Sequence, residues 1–137
     1  MVSRLYKKQL IELSNNPYNF GKPDEIFSTK EAFNKLCGDK ITVYQKGDPL
    51  TSIELWFESV SCIICSASAS LLTKNTEGME LNNCIEFIRN IETAIKNGTL
   101  LDHKFAENLN CLDEIKNYPS RTTCATLPWT TANDLLK

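Results

Sequence analysis

The first regular pattern along the chain is helical and covers residues 2–14. Apolar side chains recur there at near-helical spacing, and the pattern stops at Asn15-Asn16-Pro17 because proline lacks an amide hydrogen and restricts the residue before it. The segment 16–23 is rich in turn-forming residues. Residues 24–36 are polar with scattered apolar positions, which predicts a loop or a short irregular helix.

Two alternating runs in the middle of the chain predict a β-hairpin. Residues 40–46 alternate between apolar and polar in period two, Gly47-Asp48-Pro49 is a turn signal, and residues 52–58 form the returning run. Because antiparallel strands joined by a turn run back along each other, the outer ends of this hairpin are expected to be neighbours.

From residue 66 onward the pattern becomes helical. Small residues over 66–73 predict a helix that can pack closely on a sheet, with Gly78 in its end region. A longer helix is predicted at about 81–96, because its apolar residues share one face and Gly98 follows its end.

The C-terminal part predicts a linker and two further helical pieces. Residues 99–108 are polar, and short helices are expected at about 107–117 and 120–136, with Pro119 near the start of the second and Pro128 interrupting it. Strands early and helices late predict an α+β fold, in which a small antiparallel β-sheet is packed by an N-terminal helix and by C-terminal helices.

Length and composition narrow the class of protein. The 137 residues suit a single domain over 1–137, and 42% hydrophobic with 23% charged residues is typical of a soluble globular protein. No apolar run approaches the roughly 20 residues that span a bilayer, and the N-terminus resembles no signal peptide, so we expect a cytoplasmic protein without a membrane partner. A net charge of −2 leaves no basic face for nucleic acid.

The cysteines introduce the candidate chemistry. Six cysteines in a chain expected in the reducing cytosol argue against a disulfide framework and favour metal binding or sulfur chemistry. Four residues form a candidate ligand set, namely Cys37, Asp39, Cys62 and Cys124. Three thiolates and a carboxylate can complete a tetrahedral zinc site or hold an iron–sulfur unit, and a thiolate can also carry sulfur, so the residue types alone leave these choices open.

The predicted fold tells where these four residues would meet. Cys37 and Asp39 lie in the loop that enters the first predicted strand, Cys62 lies in the loop that leaves the second, and Cys124 lies on a C-terminal helix that must pack over the strand ends. Gly38 lets the backbone turn so that both of its neighbours face one point. The spacing matches no short-range zinc motif, and buried free cysteines are common, so packing remains the competing interpretation.

The remaining candidates are interpreted as structural. We expect a surface position for the single histidine, His103, in the polar linker. Packing roles are expected for the other three cysteines, Cys65, Cys84 and Cys111, although Cys65 follows Cys62 by three residues and can approach the same site.

Several segments together resemble the U-type iron–sulfur cluster assembly proteins, the family of IscU, SufU and the N-terminal domain of NifU. The matching segments follow the family's order along almost the whole chain: Leu5-Tyr6, Asn16-Pro17-Tyr18-Asn19-Phe20-Gly21, Cys37-Gly38-Asp39-Lys40-Ile41, Phe57-Glu58 with Cys62, Ser66-Ala67-Ser68-Ala69-Ser70, and Arg121-Thr122-Thr123-Cys124-Ala125-Thr126-Leu127. The long interval between Cys62 and Cys124 resembles the SufU branch. So does Thr123, since IscU proteins typically have histidine at that place. Ser59-Val60-Ser61 departs from the family's usual glycines.

The resemblance implies a SufE/NifU-like α+β fold and a zinc ion held by Cys37, Asp39, Cys62 and Cys124. It implies Cys37 as the acceptor of persulfide sulfur from a SufS-type, PLP-dependent cysteine desulfurase, with delivery onward to an iron–sulfur scaffold or apo-proteins. Arg121, one turn before Cys124, is a candidate contact for the persulfide or the partner, with a plain surface arginine as its competitor.

Two alternatives to zinc-dependent sulfur transfer stay open. The three cysteines, Cys37, Cys62 and Cys124, can instead bind iron and hold a 2Fe–2S cluster for delivery to apo-proteins, in which case the chain is a scaffold. In the other, zinc only holds the fold together. Whether the chain is an enzyme, as a sulfurtransferase acting with a desulfurase would be, depends on this choice.

Overall fold

A three-stranded antiparallel sheet lies against four α-helices in the computed structural model, which describes residues 4–48 and 52–137. The predicted α+β class is confirmed. In chain order the elements are α1 (Arg4–Asn15), β1 (Ile26–Asn34), β2 (Asp39–Lys46), β3 (Leu55–Val60), α2 (Ile63–Thr76), α3 (Leu81–Asn97), two 3-10 segments (Leu100–Asp102 and Glu107–Asn117) and α4 (Pro119–Leu136). Among the described residues, no helix is both long and apolar enough to cross a bilayer.

The strand register brings three chain segments to one end of the sheet. The order is β1-β2-β3, so β2 is central. Asn34 at the end of β1 pairs with Asp39 at the start of β2, and Lys40 pairs with Val60 at the end of β3. The turn between β1 and β2 and the entry to α2 therefore lie side by side.

The prediction of a loop or irregular helix over 24–36 is wrong, because Ile26–Asn34 form β1. This strand is at the edge of the sheet, and most of its side chains are exposed. It is held by backbone hydrogen bonds to β2, and a strand with little buried surface shows no apolar alternation in its sequence.

The hairpin prediction is confirmed in type, with a shift in its second strand. β2 matches the predicted run, whereas β3 begins at Leu55 and ends at Val60. Ile53, which lies before β3, pairs instead with the segment that follows α2. Its amide donates to the Met79 carbonyl, and the Gly78 amide donates to the Ile53 carbonyl. The predicted turn residue Pro49 lies outside the described residues.

The helix predictions are largely confirmed. α1 begins at Arg4, and the first two residues of its predicted range lie outside the described part. α2 is longer than predicted at both ends, and α3 ends at Gly98, whose φ of 69° gives a left-handed cap. The predicted helix at 107–117 is a 3-10 segment, and the linker 99–108 contains a second one in which Leu100 is buried.

The prediction that Pro128 interrupts the last helix is wrong, because α4 continues from Pro119 to Leu136. A proline in a helix removes the backbone bond to the residue four places earlier, which here is Cys124. Pro128 is buried, and α4 packs against α2, α3, β1 and β2. These tertiary contacts compensate for one missing backbone bond.

A buried hydrogen-bond chain fixes α4 against α2. The Trp129 indole N–H donates to the Ser68 hydroxyl oxygen at 2.8 Å, and the Ser68 hydroxyl donates to the carbonyl of Ala125, next to Cys124. Both Ser68 and Trp129 are fully buried. The small residues of α2 thus let α4 approach closely enough for a serine to bridge the two helices.

Ser68→Ala is expected to lower the free energy of unfolding by about 1–3 kcal/mol, because the Trp129 N–H loses its acceptor inside the core. The measurement is chemical denaturation followed by tryptophan fluorescence. Ser66→Ala, at a half-buried position on the same helix, is the matched control and should change stability by less than about 0.5 kcal/mol. Equal effects of the two substitutions would contradict the bridging role.

Candidate metal centre

Each of the four predicted ligands is placed by a different local feature of the fold. Cys37 lies in the turn between β1 and β2, and Asp39 is the first residue of β2. Gly38 between them has a φ of 69°, a conformation that residues with a Cβ adopt only at a cost. Cys62 is the N-cap of α2, and Cys124 lies inside α4.

The structure brings three of the four predicted ligands into one close group and places the fourth beside it. One ligand atom each from Cys37, Asp39 and Cys124 lies within 4.8 Å of the others, and the Sγ atoms of Cys37 and Cys124 are 3.1 Å apart. Cys62 is not part of this mutually close group, but it lies beside it, with its Sγ 3.8 Å from Asp39 Oδ2.

The two carboxylate oxygens of Asp39 have separate surroundings. Oδ1 accepts a hydrogen bond from the Cys62 backbone N–H at 2.8 Å, which ties the start of β2 to the start of α2. Oδ2 faces the Cys62 thiol and the side-chain amide of Asn34. Oδ1 therefore holds β2 to the start of α2, and Oδ2 is directed toward the Cys62 thiol.

Burial separates the ligands into two pairs. Cys124 is fully buried and Asp39 is 1% exposed, whereas Cys37 and Cys62 are only partly buried. Burial raises the pKa of the Cys124 thiol, and its hydrogen bonds with Cys37 and Asp39 raise that pKa further. A cation bound among these groups would reverse this, because a coordinated thiol is deprotonated.

The donor set fits zinc. Zinc binds cysteine sulfur at about 2.3 Å and carboxylate oxygen at about 2.0–2.2 Å in four-coordinate, tetrahedral sites, so two thiolate ligands lie roughly 3.8 Å apart. The Sγ atoms of Cys37 and Cys124, 3.1 Å apart, need only a small separation to reach this spacing. Cys62 must move closer to the other ligand atoms to complete a four-coordinate site. Iron in a cluster also takes thiolate ligands, so the donor types fit both metals.

The other three cysteines are buried, as the sequence predicts. Burial raises the pKa of the thiol to about 12 for Cys65 and Cys84 and to about 11 for Cys111. Cys65 lies next to the site, since its backbone N–H donates to the Cys62 Sγ at 3.5 Å. Buried thiols of this kind are unreactive, which fits the packing role that the sequence predicts.

Arg121 is exposed and lies at the rim of the site. Its hydrogen bond with Cys124 and the negative charges of the neighbouring thiolates raise the pKa of its guanidinium group. His103 is exposed in the linker, where its ring lies 5.1 Å from that of Phe105. Of these two residues, only Arg121 is therefore placed beside the candidate ligands.

Asn34 is a site residue that the sequence pattern does not predict. It lies at the end of β1, is 5% exposed, and its side-chain nitrogen lies 3.5 Å from both Asp39 Oδ2 and Cys124 Sγ. Its sequence signal, a lone asparagine three places before a cysteine, is typical of any turn.

Comparison with known proteins identifies the family. The family model for the NifU-like N-terminal domain matches residues 5–125. The chain belongs to this family. The resemblance that the sequence motifs suggest is thereby confirmed over most of the chain.

Relatives of known name include both branches of the family. An iron–sulfur cluster assembly scaffold protein IscU from Thermotoga maritima is 31% identical over 133 residues, covering 97% of this chain and 93% of the relative. A zinc-dependent sulfurtransferase SufU from Bacillus subtilis is 26% identical, covering 93% of this chain and 86% of the relative.

Solved structures agree with the fold and with the SufU branch. A SufU from Fervidobacterium islandicum, described as an iron–sulfur cluster assembly scaffold protein for the SUF system, superposes with a TM-score of 0.79 at 28% identity, covering 95% of each chain. A NifU-like N-terminal protein from Brucella abortus gives a TM-score of 0.76 at 21% identity, over 94% of this chain and 90% of the other.

Proposed function

We propose that this protein acts in iron–sulfur cluster assembly as a zinc-dependent acceptor and carrier of persulfide sulfur. The observation that supports this most is the position of Cys37. It is the ligand that lies on a turn, it is partly exposed, and its Sγ lies 3.1 Å from the buried Cys124 thiol. A thiolate that binds the metal and is also accessible to a partner protein is better suited to sulfur transfer than to a purely structural role.

The reaction requires one attack by the Cys37 sulfur. The partner's persulfide presents a terminal sulfur atom, and the Cys37 thiolate attacks it, so that a new S–S bond forms on Cys37 and the donor's S–S bond breaks. The donor cysteine leaves as a thiolate, so charge and electrons balance without another reactant. Bound zinc would keep the ligand thiols deprotonated at neutral pH and lower their reactivity until one is exchanged.

The remaining ligands hold the centre while Cys37 reacts. Cys124 and Asp39 are buried on α4 and β2, and Cys62 is fixed at the N-cap of α2. Arg121 at the rim carries a positive charge next to the thiols, where it can orient an incoming persulfide anion. The donor we propose is a PLP-dependent cysteine desulfurase, and the PLP belongs to that partner.

A second candidate function is that of a scaffold on which a 2Fe–2S cluster is assembled and then passed to apo-proteins. It is favoured by the Thermotoga maritima relative, which is named as a scaffold and is 31% identical. The same three thiols would bind the iron, and the cluster would then be the cargo of the protein. A third candidate, zinc as a purely structural ion, predicts normal sulfur acceptance without metal in molecules that stay folded.

Anaerobic purification followed by elemental analysis, an absorption spectrum and a persulfide-transfer assay distinguishes these functions. Sulfur transfer predicts about one zinc per chain, no visible colour, and sulfur acceptance from a desulfurase that is lost when zinc is removed. A brown protein that contains iron and passes its cluster to an apo-acceptor would establish the scaffold function instead. Zinc-containing protein that accepts no sulfur would overturn the proposal.

A further inference from the structure

The side chain of Asn34 connects the two buried ligands of the candidate centre. Its Nδ2 lies 3.5 Å from Cys124 Sγ, an ordinary length for a hydrogen bond to sulfur, and 3.5 Å from Asp39 Oδ2, which is long for a hydrogen bond to oxygen. Asn34 comes from β1, Asp39 from β2 and Cys124 from α4. One amide group thus contacts ligands from two other elements.

A separate hydrogen bond fixes the orientation of this amide. The Leu36 backbone N–H donates to Asn34 Oδ1 at 3.2 Å, which is the usual side-chain bond of an asparagine that opens a turn. Because a backbone N–H requires an acceptor, the oxygen must face the turn, and the NH₂ group must face Asp39 and Cys124. The side chain is also 5% exposed, so water has little access to it.

The contacts of Asp39 show why this donor matters. Asp39 Oδ1 is already bound to the Cys62 N–H, so Oδ2 is the oxygen left for a metal. The Asn34 amide limits the rotation of Oδ2 and donates to the thiol sulfur beside it. Groups that orient metal ligands in this way typically change metal affinity by about 10–100-fold when removed.

We propose that Asn34 is a positioning residue of the metal centre, which holds the Asp39 carboxylate and the Cys124 thiolate in binding geometry through its side-chain NH₂ group. This inference rests on the proposed function, since it assumes that these ligands bind a metal. It assigns a role to the edge strand β1, which supplies none of the four ligands.

Asn34→Thr tests the proposal. Threonine suits a strand, and its hydroxyl can still accept the Leu36 N–H, but it is too short to reach Asp39 and Cys124. We expect the zinc dissociation constant, measured by chelator competition, to rise about 10–100-fold. In the Co²⁺-loaded protein, the thiolate-to-metal charge-transfer bands should shift to lower energy, because a thiolate that loses an N–H donor is a better electron donor.

Asn75→Ala is the matched control. It also removes a side-chain amide, whose Nδ2 donates to the Leu71 carbonyl in α2 at 2.7 Å, outside the centre. It should leave both the zinc dissociation constant and the cobalt spectrum unchanged. Asn34→Ser provides a second variant with the same design if the threonine variant does not fold.

Two outcomes would overturn the inference. One is a zinc dissociation constant within twofold of the wild-type value together with an unchanged cobalt spectrum. The other is a weaker zinc affinity with unchanged cobalt bands, which a packing role of Asn34 without an N–H donor to the thiolate predicts. Wild-type protein that binds metal but accepts no sulfur would count against the proposed function alone.

Discussion

Cys37→Ala is expected to lower the rate of sulfur acceptance from a cysteine desulfurase by a factor of about 10³ or more, because the substitution removes the attacking nucleophile. Cys124 cannot easily replace it, since that thiol is fully buried on α4. The measurement is a single-turnover reaction with persulfide-loaded desulfurase, in which mass spectrometry identifies the cysteine that gains a sulfur atom.

Cys84→Ala is the control for this experiment. Cys84 is fully buried on α3, and burial raises its pKa to about 12, so it should carry no sulfur. Its removal should leave the acceptance rate unchanged in folded protein, although stability falls. If Cys37→Ala protein still binds zinc and accepts sulfur at the wild-type rate, Cys37 is not the carrier, and the partly buried Cys62 becomes the next candidate.

The parts of the fold that the sequence predicts are those with strong periodicity. The long helix α3 has a clear apolar face and a glycine cap, and β2 is buried along much of its length. The sequence pattern over 24–36 predicts a loop or a short irregular helix and misses the edge strand β1. The side chains of β1 are mostly exposed, so its pairing with β2 leaves no apolar alternation in its own residues. The prediction from Pro128 fails for a different reason. Proline disfavours the interior of a helix, but the burial of α4 outweighs this local preference.

The candidate site also has a part that the sequence predicts and a part that it does not. Residue types and the family resemblance predict Cys37, Asp39, Cys62 and Cys124 as one set. The structure groups Cys37, Asp39 and Cys124 and places Cys62 beside Asp39. The contribution of Asn34 could not be predicted, because it depends on the register that pairs it with Asp39 and on the packing of α4 above both. Long-range packing of this kind is not encoded in local spacing.

Cys62→Ser is expected to change stability in opposite directions with and without zinc. Cys62 is the N-cap of α2, and its sulfur accepts the Cys65 N–H at 3.5 Å. Serine is a better N-cap, so the metal-free protein should gain up to about 1 kcal/mol in free energy of unfolding. With free zinc at 100 times the wild-type dissociation constant, metal binding stabilises the wild type by about 2.7 kcal/mol, and most of this should be lost in the variant.

Chemical denaturation in the presence of a chelator and in buffered free zinc measures both effects. Cys62→Ala serves as the comparison, because alanine removes the thiolate and also the capping acceptor, so its stability should fall in both conditions. Cys84→Ala should lower stability by the same amount in each, since a core thiol on α3 takes no part in metal binding. A Cys62→Ser protein that keeps the full stabilisation by zinc would remove Cys62 from the ligand set and leave Cys37, Asp39 and Cys124 as a three-residue site open to a ligand from the partner.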